Sequence, residues 1–365
     1  MVWKLVNWQY DGLKIKQNAA KKYGSYTKRV QSQDFYFVEG IAWTHTTYSQ
    51  PFACRFIPEG VISNVEGPEI FELGKNQLNV MGMLNSKVMD AIFMRMSDSI
   101  HYLAGELSKF PVFLADQRIV NPIVENCVTL AMDDWNSYET SWDFKRHPLV
   151  RLQLAGAYAW GDKPPVIRLT SAYNAWKLEC EGRFDKLKAN EEKLNRIFIE
   201  IYGLQDELTP EVADKDITVH RIFDTKDDVP ESMKGSNYIR TKRDEIVSLL
   251  SYAVGCMFGR YSLDVDGLAY AGGDWDAVFK HDPSVIDPDG KNAVLAGDYI
   301  VGKDGQYHLC TIVPDKDNII PICDDDYFDD DITGRFVKWV EAVYGSDTLE
   351  ENLKFIADAL GGKGT

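Results

Sequence analysis

The 365 residues contain no apolar run long enough to cross a bilayer; the longest, Ile246 to Tyr261, is interrupted by Ser248, Ser251, Gly255 and Gly259. This argues against a membrane protein. No basic segment followed by a long apolar run opens the sequence, so no secretory signal is expected. Cysteine is sparse and never paired as Cys-x-x-Cys: Cys54, Cys127, Cys180, Cys256, Cys310 and Cys323 lie far apart. That spacing fits reduced thiols in a cytoplasm better than a disulfide framework.

Motifs of catalysis are missing as well. There is no Gly-x-Gly-x-x-Gly fingerprint for a nucleotide or S-adenosylmethionine, no His-Glu-x-x-His and no Gly-x-Ser-x-Gly elbow. The six histidines stand singly, without cysteines at zinc spacing. Gly297 to Lys303 has the Gly-x-x-x-x-Gly-Lys spacing, but Asp304 occupies the position of the magnesium-binding hydroxyl and the flanks read as a hairpin. Lys163-Pro164-Pro165-Val166 reads as a proline turn. The run Asp324 to Asp331 lacks the alternating ligands of a calcium loop and reads as a solvated loop whose last aspartates cap the next helix. No catalytic or metal-binding residue is expected in this chain.

Charge is present but uneven. The net figure is −16, yet residues 1–200 carry 24 basic and 23 acidic side chains while residues 201–365 carry 16 and 33. The first 33 residues hold seven basic side chains (Lys4, Lys14, Lys16, Lys21, Lys22, Lys28 and Arg29) against Asp11 alone, interleaved with Trp3, Trp8, Tyr10, Tyr23 and Tyr26. This pattern suits phosphate contact, and equally an ordinary solvated face.

The patterning predicts an α+β protein. Short strands joined by turns are expected from Asp34 to Phe71, and an amphipathic helix where Leu84, Val88, Ile92 and Met96 recur at four-residue spacing. Residues 115–170 read as a polar and aromatic connector. A single apolar stripe through Trp176, Cys180, Phe184, Leu187, Leu194, Phe198 and Ile201 predicts a long helix stopped by Gly203. Residues 205–240 read as surface loops. Beyond them a buried helix from Asp244 to Gly259 is expected, with Gly255 and Gly259 admitting another backbone. A hairpin over Asp298 to Val313 and two closing helices, the second capped by Asp347, complete the pattern. The domains expected are a recognition domain with short strands and an amphipathic helix (1–114), a connector with a long spacer helix (115–204) and an acidic, mainly helical C-terminal domain with a β-hairpin (205–365).

Four segments carry a family resemblance. Ser251-Tyr252-Ala253-Val254-Gly255-Cys256-Met257-Phe258-Gly259-Arg260-Tyr261-Ser262-Leu263-Asp264, Ser137 to Phe144, Leu194 to Leu204, and Leu349 to Leu353 with Ile356 to Gly364 resemble parts of the PglX adenine-specific DNA methyltransferases of BREX phage-defence systems. These are relatives of fused restriction-methylation enzymes. The first unit also looks like a target recognition domain, through Gly40 to Thr44, Arg55 to Gly60, Met83 to Val88 and Phe110-Pro111-Val112.

The resemblance implies a C-terminal piece of a longer enzyme, whose S-adenosylmethionine-binding catalytic half would precede Met1 and which would continue past Thr365. It implies sequence-specific recognition of double-stranded DNA, with the methyltransferase domain and other phage-defence proteins as partners, and no cofactor held by this chain. Base reading is expected from Thr44, His45, Thr46, Thr47, Tyr48 and Gln50, with Arg55 nearby; Lys14, Lys16, Lys21, Lys22, Lys28 and Arg29 would hold phosphates. Arg55 could instead pair with Glu39 or Glu59. Two rivals remain open: a protein-interaction module acting through the acidic half, and part of a restriction endonuclease offering Asp224-Thr225-Lys226.

Overall fold

A computed structural model describes residues 5–46, 52–62, 67–96, 101–151, 168–286, 290–322 and 331–362. It is an α+β chain of two compact units, the first formed by residues 1–131 and 185–216 and the second by 132–184 and 217–365. Among the described residues, no helix is long and apolar enough to cross a membrane.

In the first unit, helix α1 (Gln9–Tyr23) is followed by a three-stranded antiparallel sheet of order β2-β1-β3. Strand β1 (Gly40–Trp43) pairs with β2 (Cys54–Ile57) through Gly40↔Ile57 and Trp43↔Cys54, and with β3 (Glu69–Ile70). Helices α2 (Gln77–Leu84) and α3 (Lys87–Met96) follow. The four-residue spacing that predicted one helix thus marks α3, and the chain turns at Asn85 because that side chain has other work. Its amide accepts from the Cys54 N–H at 2.9 Å and donates to the Cys54 carbonyl at 3.2 Å, standing in for a strand along the outer edge of β2. Asn85→Ala leaves the Cys54 N–H without that partner, while Arg55 still donates to the Cys54 carbonyl, and is expected to cost about 1–3 kcal/mol, read as a shifted urea midpoint at unchanged slope.

The core of this unit gathers Ile41, Trp43, Phe52, Met83, Val88, Phe93 and Tyr102 around residues from two longer helices, α5 (Gln117–Asn136) and α6 (Leu169–Tyr202). The intervening α4 (Ala104–Leu107) is one turn. Helix α5 was not legible in the supposed connector because Pro122 lies within it and its apolar positions are diluted by polar ones. Gly82 permits close packing here: a Cβ would stand 2.7 Å from a Val124 methyl. The long helix α6 spans 34 residues, and its stripe supplies Leu194 and Phe198 to this core. Its terminal Tyr202 hydroxyl donates to the Pro111 carbonyl and accepts from the Phe113 N–H at 3.2 Å.

The second unit packs the first half of α6, with Leu169, Tyr173, Trp176 and Cys180, against α7 (Lys242–Met257), α9 (Ile332–Tyr344) and α10 (Leu349–Leu360), the single turn α8 (Trp275–Val278) lying between. Thr241 and Asp244 form a reciprocal capping box at the start of α7. Gly255 is approached by the Tyr261 ring, at 2.7 Å from where a Cβ would stand, rather than by another backbone. Helix α10 is entered through a short 3-10 turn, Ser346–Thr348, so Asp347 does not cap it.

The stretch read as surface loops contributes to the interior. Strands β4 (Arg221–Phe223) and β5 (Ile239–Thr241) pair in parallel, and Ile217, Val219, Ile222 and Met233 are buried. Their few apolar residues are separated by many charges, so no period betrays them. Strands β6 (Phe279–His281), β9 (Asp298–Val301) and β10 (Tyr307–Leu309) form a sheet of order β10-β9-β6, and β7 (Ser284–Ile286) pairs with β8 (Asn292–Val294). The predicted hairpin is β9-β10, turning through Gly302 to Gly305. Asp331 caps α9 by accepting from the Gly334 N–H at 2.6 Å; Asp324 to Asp330 and the proline turn at Lys163 to Val166 lie outside the described residues.

Burial governs the thiols. The Cys54, Cys127, Cys256 and Cys310 thiols are each pushed up to about 12, chiefly by desolvation, and the Cys180 thiol is raised by the same cause. The thiolate is the reacting species. Cys54, Cys180 and Cys256 are therefore expected to resist a thiol reagent at pH 8 until urea unfolds the chain; peptide mapping that finds them modified in the native protein would overturn this.

Candidate nucleic-acid interface

The basic N-terminal stretch becomes α1 and a following one-turn 3-10 helix, Tyr26–Lys28. Gly24 ends α1 in the left-handed conformation at φ 81°, its N–H returning to the Ala20 carbonyl, which only glycine adopts without strain. Lys14, Lys21, Lys22, Lys28 and Arg29 are exposed. Lys22 lies 5.4 Å from the Tyr23 ring centroid and the Arg29 guanidinium 4.5 Å from it, so two cations lie against one aromatic ring.

Lys16 is different. Its ammonium pairs with Asp11 at 2.5 Å and lies between the Trp8 and Tyr26 rings, at 5.5 and 5.9 Å, with only 19% of the side chain exposed. Hydrogen bonding to Lys16 holds the Asp11 carboxyl below its usual range. Lys16 thus organises the aromatic base of the helix, and among the described residues of this stretch the exposed cations are the other five. Trp8 meets Tyr36 and Phe37 edge-on at 5.1 and 5.9 Å, while Phe37 exchanges backbone hydrogen bonds with Val61 and Gly60 just beyond β2.

The proposed base-reading residues begin just past the end of β1. Thr44 is exposed, whereas His45 and Thr46 are half-buried. The Thr46 hydroxyl lies 2.8 Å from His101 Nδ1 and 3.2 Å from His45 Nδ1, and the two imidazoles stack at 5.2 Å. The Tyr102 N–H donates to the His45 carbonyl at 2.8 Å. His45 and Thr46 are therefore tied to His101 and Tyr102. Thr47, Tyr48 and Gln50 lie outside the described residues.

Arg55 is exposed on β2, opposite Ala42, so the register sets it close to Thr44. It donates to the Cys54 carbonyl at 3.0 Å, and no ion pair with Glu39 or Glu59 is found among the described residues. The carboxyl group it influences is Glu191 of α6. Burial pushes that group up to about 7, Arg55 opposes the rise, and Asp216 and Glu192 add to it. No signal in the sequence marks Glu191, because it lies among other charges on the polar side of a helical stripe.

Two other chemistries fit the residues less well. Asp224 is engaged by Lys177 at 3.0 Å, by the Tyr173 hydroxyl at 3.0 Å and by Lys242 at 3.3 Å, and these contacts hold its carboxyl at about 2. No group of three His, Cys, Asp or Glu side chains able to hold a metal occurs among the described residues. Two open grooves in the second unit, of about 480 and 450 Å³, share Phe258 and Arg260 and offer no carboxylate for a ribose. These residues do not fit S-adenosylmethionine, and no methyl-transfer step is assigned to them.

No family model matches the chain. It is 34% identical over 366 residues to the adenine-specific methyltransferase PglX of Lacticaseibacillus casei (strain Zhang), a match covering 100% of this chain and 26% of that protein. It is also 27% identical over 360 residues to the adenine-specific methyltransferase BrxX of Escherichia coli O9:H4 (strain HS), covering 98% of this chain and 26% of the relative. Over its whole length the chain is thus a PglX-like segment, spanning about a quarter of the adenine-specific methyltransferases it matches.

Proposed function

We propose that the first unit recognises a specific sequence in duplex DNA for an adenine-specific methyltransferase of a BREX phage-defence system acting in the cytoplasm. The observation that carries this reading is the exposure of Lys14, Lys21, Lys22, Lys28 and Arg29 on one short segment with no exposed carboxylate but Asp11, in a chain otherwise rich in acid. Those cations would neutralise phosphates and displace counterions, giving affinity without sequence information. Arg55 and Thr44, together with Thr47, Tyr48 and Gln50, would supply donors and acceptors to base edges in the major groove.

In the longer enzyme, reading by this unit would fix which adenine is extruded from the stack into a catalytic pocket elsewhere, where S-adenosylmethionine supplies the methyl group. Other phage-defence proteins would meet the assembled enzyme.

The test is selection of bound duplexes from a random pool at about 50 and about 200 mM salt, followed by sequencing. An enriched motif that survives the higher salt is expected. Retention without any motif would reduce the unit to a non-specific DNA contact, and no retention at either salt would overturn the reading for this chain.

A further inference from the structure

The second unit presents an open sheet edge within a strongly acidic stretch. Residues 261–331 carry 17 acidic side chains against four basic ones. Within this stretch β10 pairs on one side with β9 through Tyr307↔Val301, His308↔Ile300 and Leu309↔Tyr299. The bonds Gly302 N–H to Gln306 carbonyl and Cys310 N–H to Asp298 carbonyl fix the phase of that ladder. Antiparallel pairs alternate between bonded and non-bonded, so His308 faces β9 with both its backbone groups, and Tyr307 and Leu309 direct theirs away from it.

Among the described residues no strand lies on that side, since β10 ends the sheet order β10-β9-β6. The side chains at these two positions are themselves apolar and exposed, Tyr307 by 37% and Leu309 by 60%. Natural edges are ordinarily blunted by shortness, lysine, proline or a bulge; Tyr307-His308-Leu309 is short but carries no lysine or proline, and its pairing with β9 has no bulge.

An aspartate lies near each end of the edge, with Lys303 beside Asp304 in the turn. Asp304 lies in the turn beside His308, at 3.8 Å from its Nε2, and Asp264 accepts from the Thr311 N–H at 2.9 Å just past the strand. The Cys310 thiol registers the resulting negative field: after burial, Asp264 and Asp298 are the causes of its raised pKa. The same field disfavours a second copy of this chain, whose own edge would bring the same aspartates.

We propose that β10 is a docking edge for an extended, basic segment of a partner protein, which adds to the sheet as a fourth strand by pairing with the backbones of Tyr307 and Leu309. Alternate apolar side chains of that segment would lie over Tyr307 and Leu309, and its lysines or arginines would meet Asp264 and Asp304. This surface is independent of the DNA-reading role of the first unit.

The experiment titrates the full chain with a short fluorescent peptide of alternating lysine and valine and reads its anisotropy. Saturable binding that weakens with salt is expected. The alternating glutamate and valine peptide should not bind, nor should the lysine peptide carrying N-methyl groups on its pairing amides. Leu309→Pro deletes an N–H directed away from β9, so the hairpin ladder stays intact while affinity falls about tenfold or more. Leu309→Lys, which keeps the N–H, should weaken the lysine peptide by reversing the local field. Equal binding of the N-methylated peptide, or of the glutamate peptide, would overturn the proposal even if Leu309→Pro failed to fold. A dimer in sedimentation that Leu309→Lys dissociates would also overturn it, by assigning the edge to a second copy.

Discussion

Replacing Lys21, Lys22, Lys28 and Arg29 together by alanine is expected to flatten the salt dependence of duplex binding. If all four meet phosphates, the slope of log K against log salt falls in magnitude by about 3.6. Between about 50 and 200 mM salt the unmodified chain should then lose roughly 150-fold more affinity than the variant. The four side chains are exposed and lie outside both cores, so folding should be unaffected. Sequence preference should survive at low salt, because phosphate contacts position the protein without reading bases. Arg55→Ala should do the reverse, relaxing preference at one base pair with little change in slope. Lys16→Ala belongs to neither class: it removes the partner of Asp11 and the cation between Trp8 and Tyr26, and its effect should appear in helix stability. Equal slopes for the quadruple variant and the parent chain would remove these cations from any phosphate interface.

Acid is expected to destabilise the second unit through His147. This imidazole is buried at 2% exposure and bonded at both nitrogens: Nδ1 accepts from the Leu149 N–H at 3.3 Å, and Nε2 lies 2.9 Å from the Ser248 hydroxyl. The Ser248 hydroxyl in turn donates to the Glu245 carbonyl at 2.9 Å. With Nδ1 accepting, the proton sits on Nε2 and the ring is neutral. A second proton would have to displace the Leu149 bond in a buried site. Burial, reinforced by the Arg240 and Arg151 guanidiniums, accordingly holds the pKa down to about 3 from an ordinary 6.5.

A folded-state pKa below the unfolded value means that the unfolded chain takes up the proton first. The His147 contribution to stability is therefore intact above about pH 6.5, declines as pH falls, and levels off below about pH 3, a loss on the order of 3–5 kcal/mol. His147→Gln keeps a donor and an acceptor but cannot titrate, and should lose less stability between pH 7 and 4 in urea titrations. An identical decline in both proteins would assign the acid sensitivity to other groups.

The neighbouring Glu245 shows why such a site is costly to alter. Fully buried, it accepts from the Trp176 indole at 2.9 Å and pairs with Arg240, whose guanidinium lies over the Tyr138 ring at 4.5 Å. Nothing in the spacing of these residues announces the network, which brings together α6, α7, β5 and residues after α5.

The sequence by itself determined the local elements whose signals are short-ranged. The stripe of α6 and the turn of the β9-β10 hairpin were legible because each depends on residues within a few positions of one another, and the uneven charge because it needs only composition. The glycine stop at Gly203 and the Asp331 cap were legible for the same reason. The resemblance to the PglX family was likewise carried by contiguous segments.

The tertiary structure alone decided the rest. Helix α5 forms although its apolar pattern is weak, because Val120 and Val124 are buried against α2 and α6. The β4-β5 pair joins segments whose charges conceal their few buried residues. Among the cations of the first 33 residues, only packing decided that Lys16 serves the interior while Lys14, Lys21, Lys22, Lys28 and Arg29 face solvent. Burial, not residue type, placed Glu191 near Arg55 and set His147 as a buried neutral base. Desolvation and long-range contact have no period along the chain, and only the fold creates them.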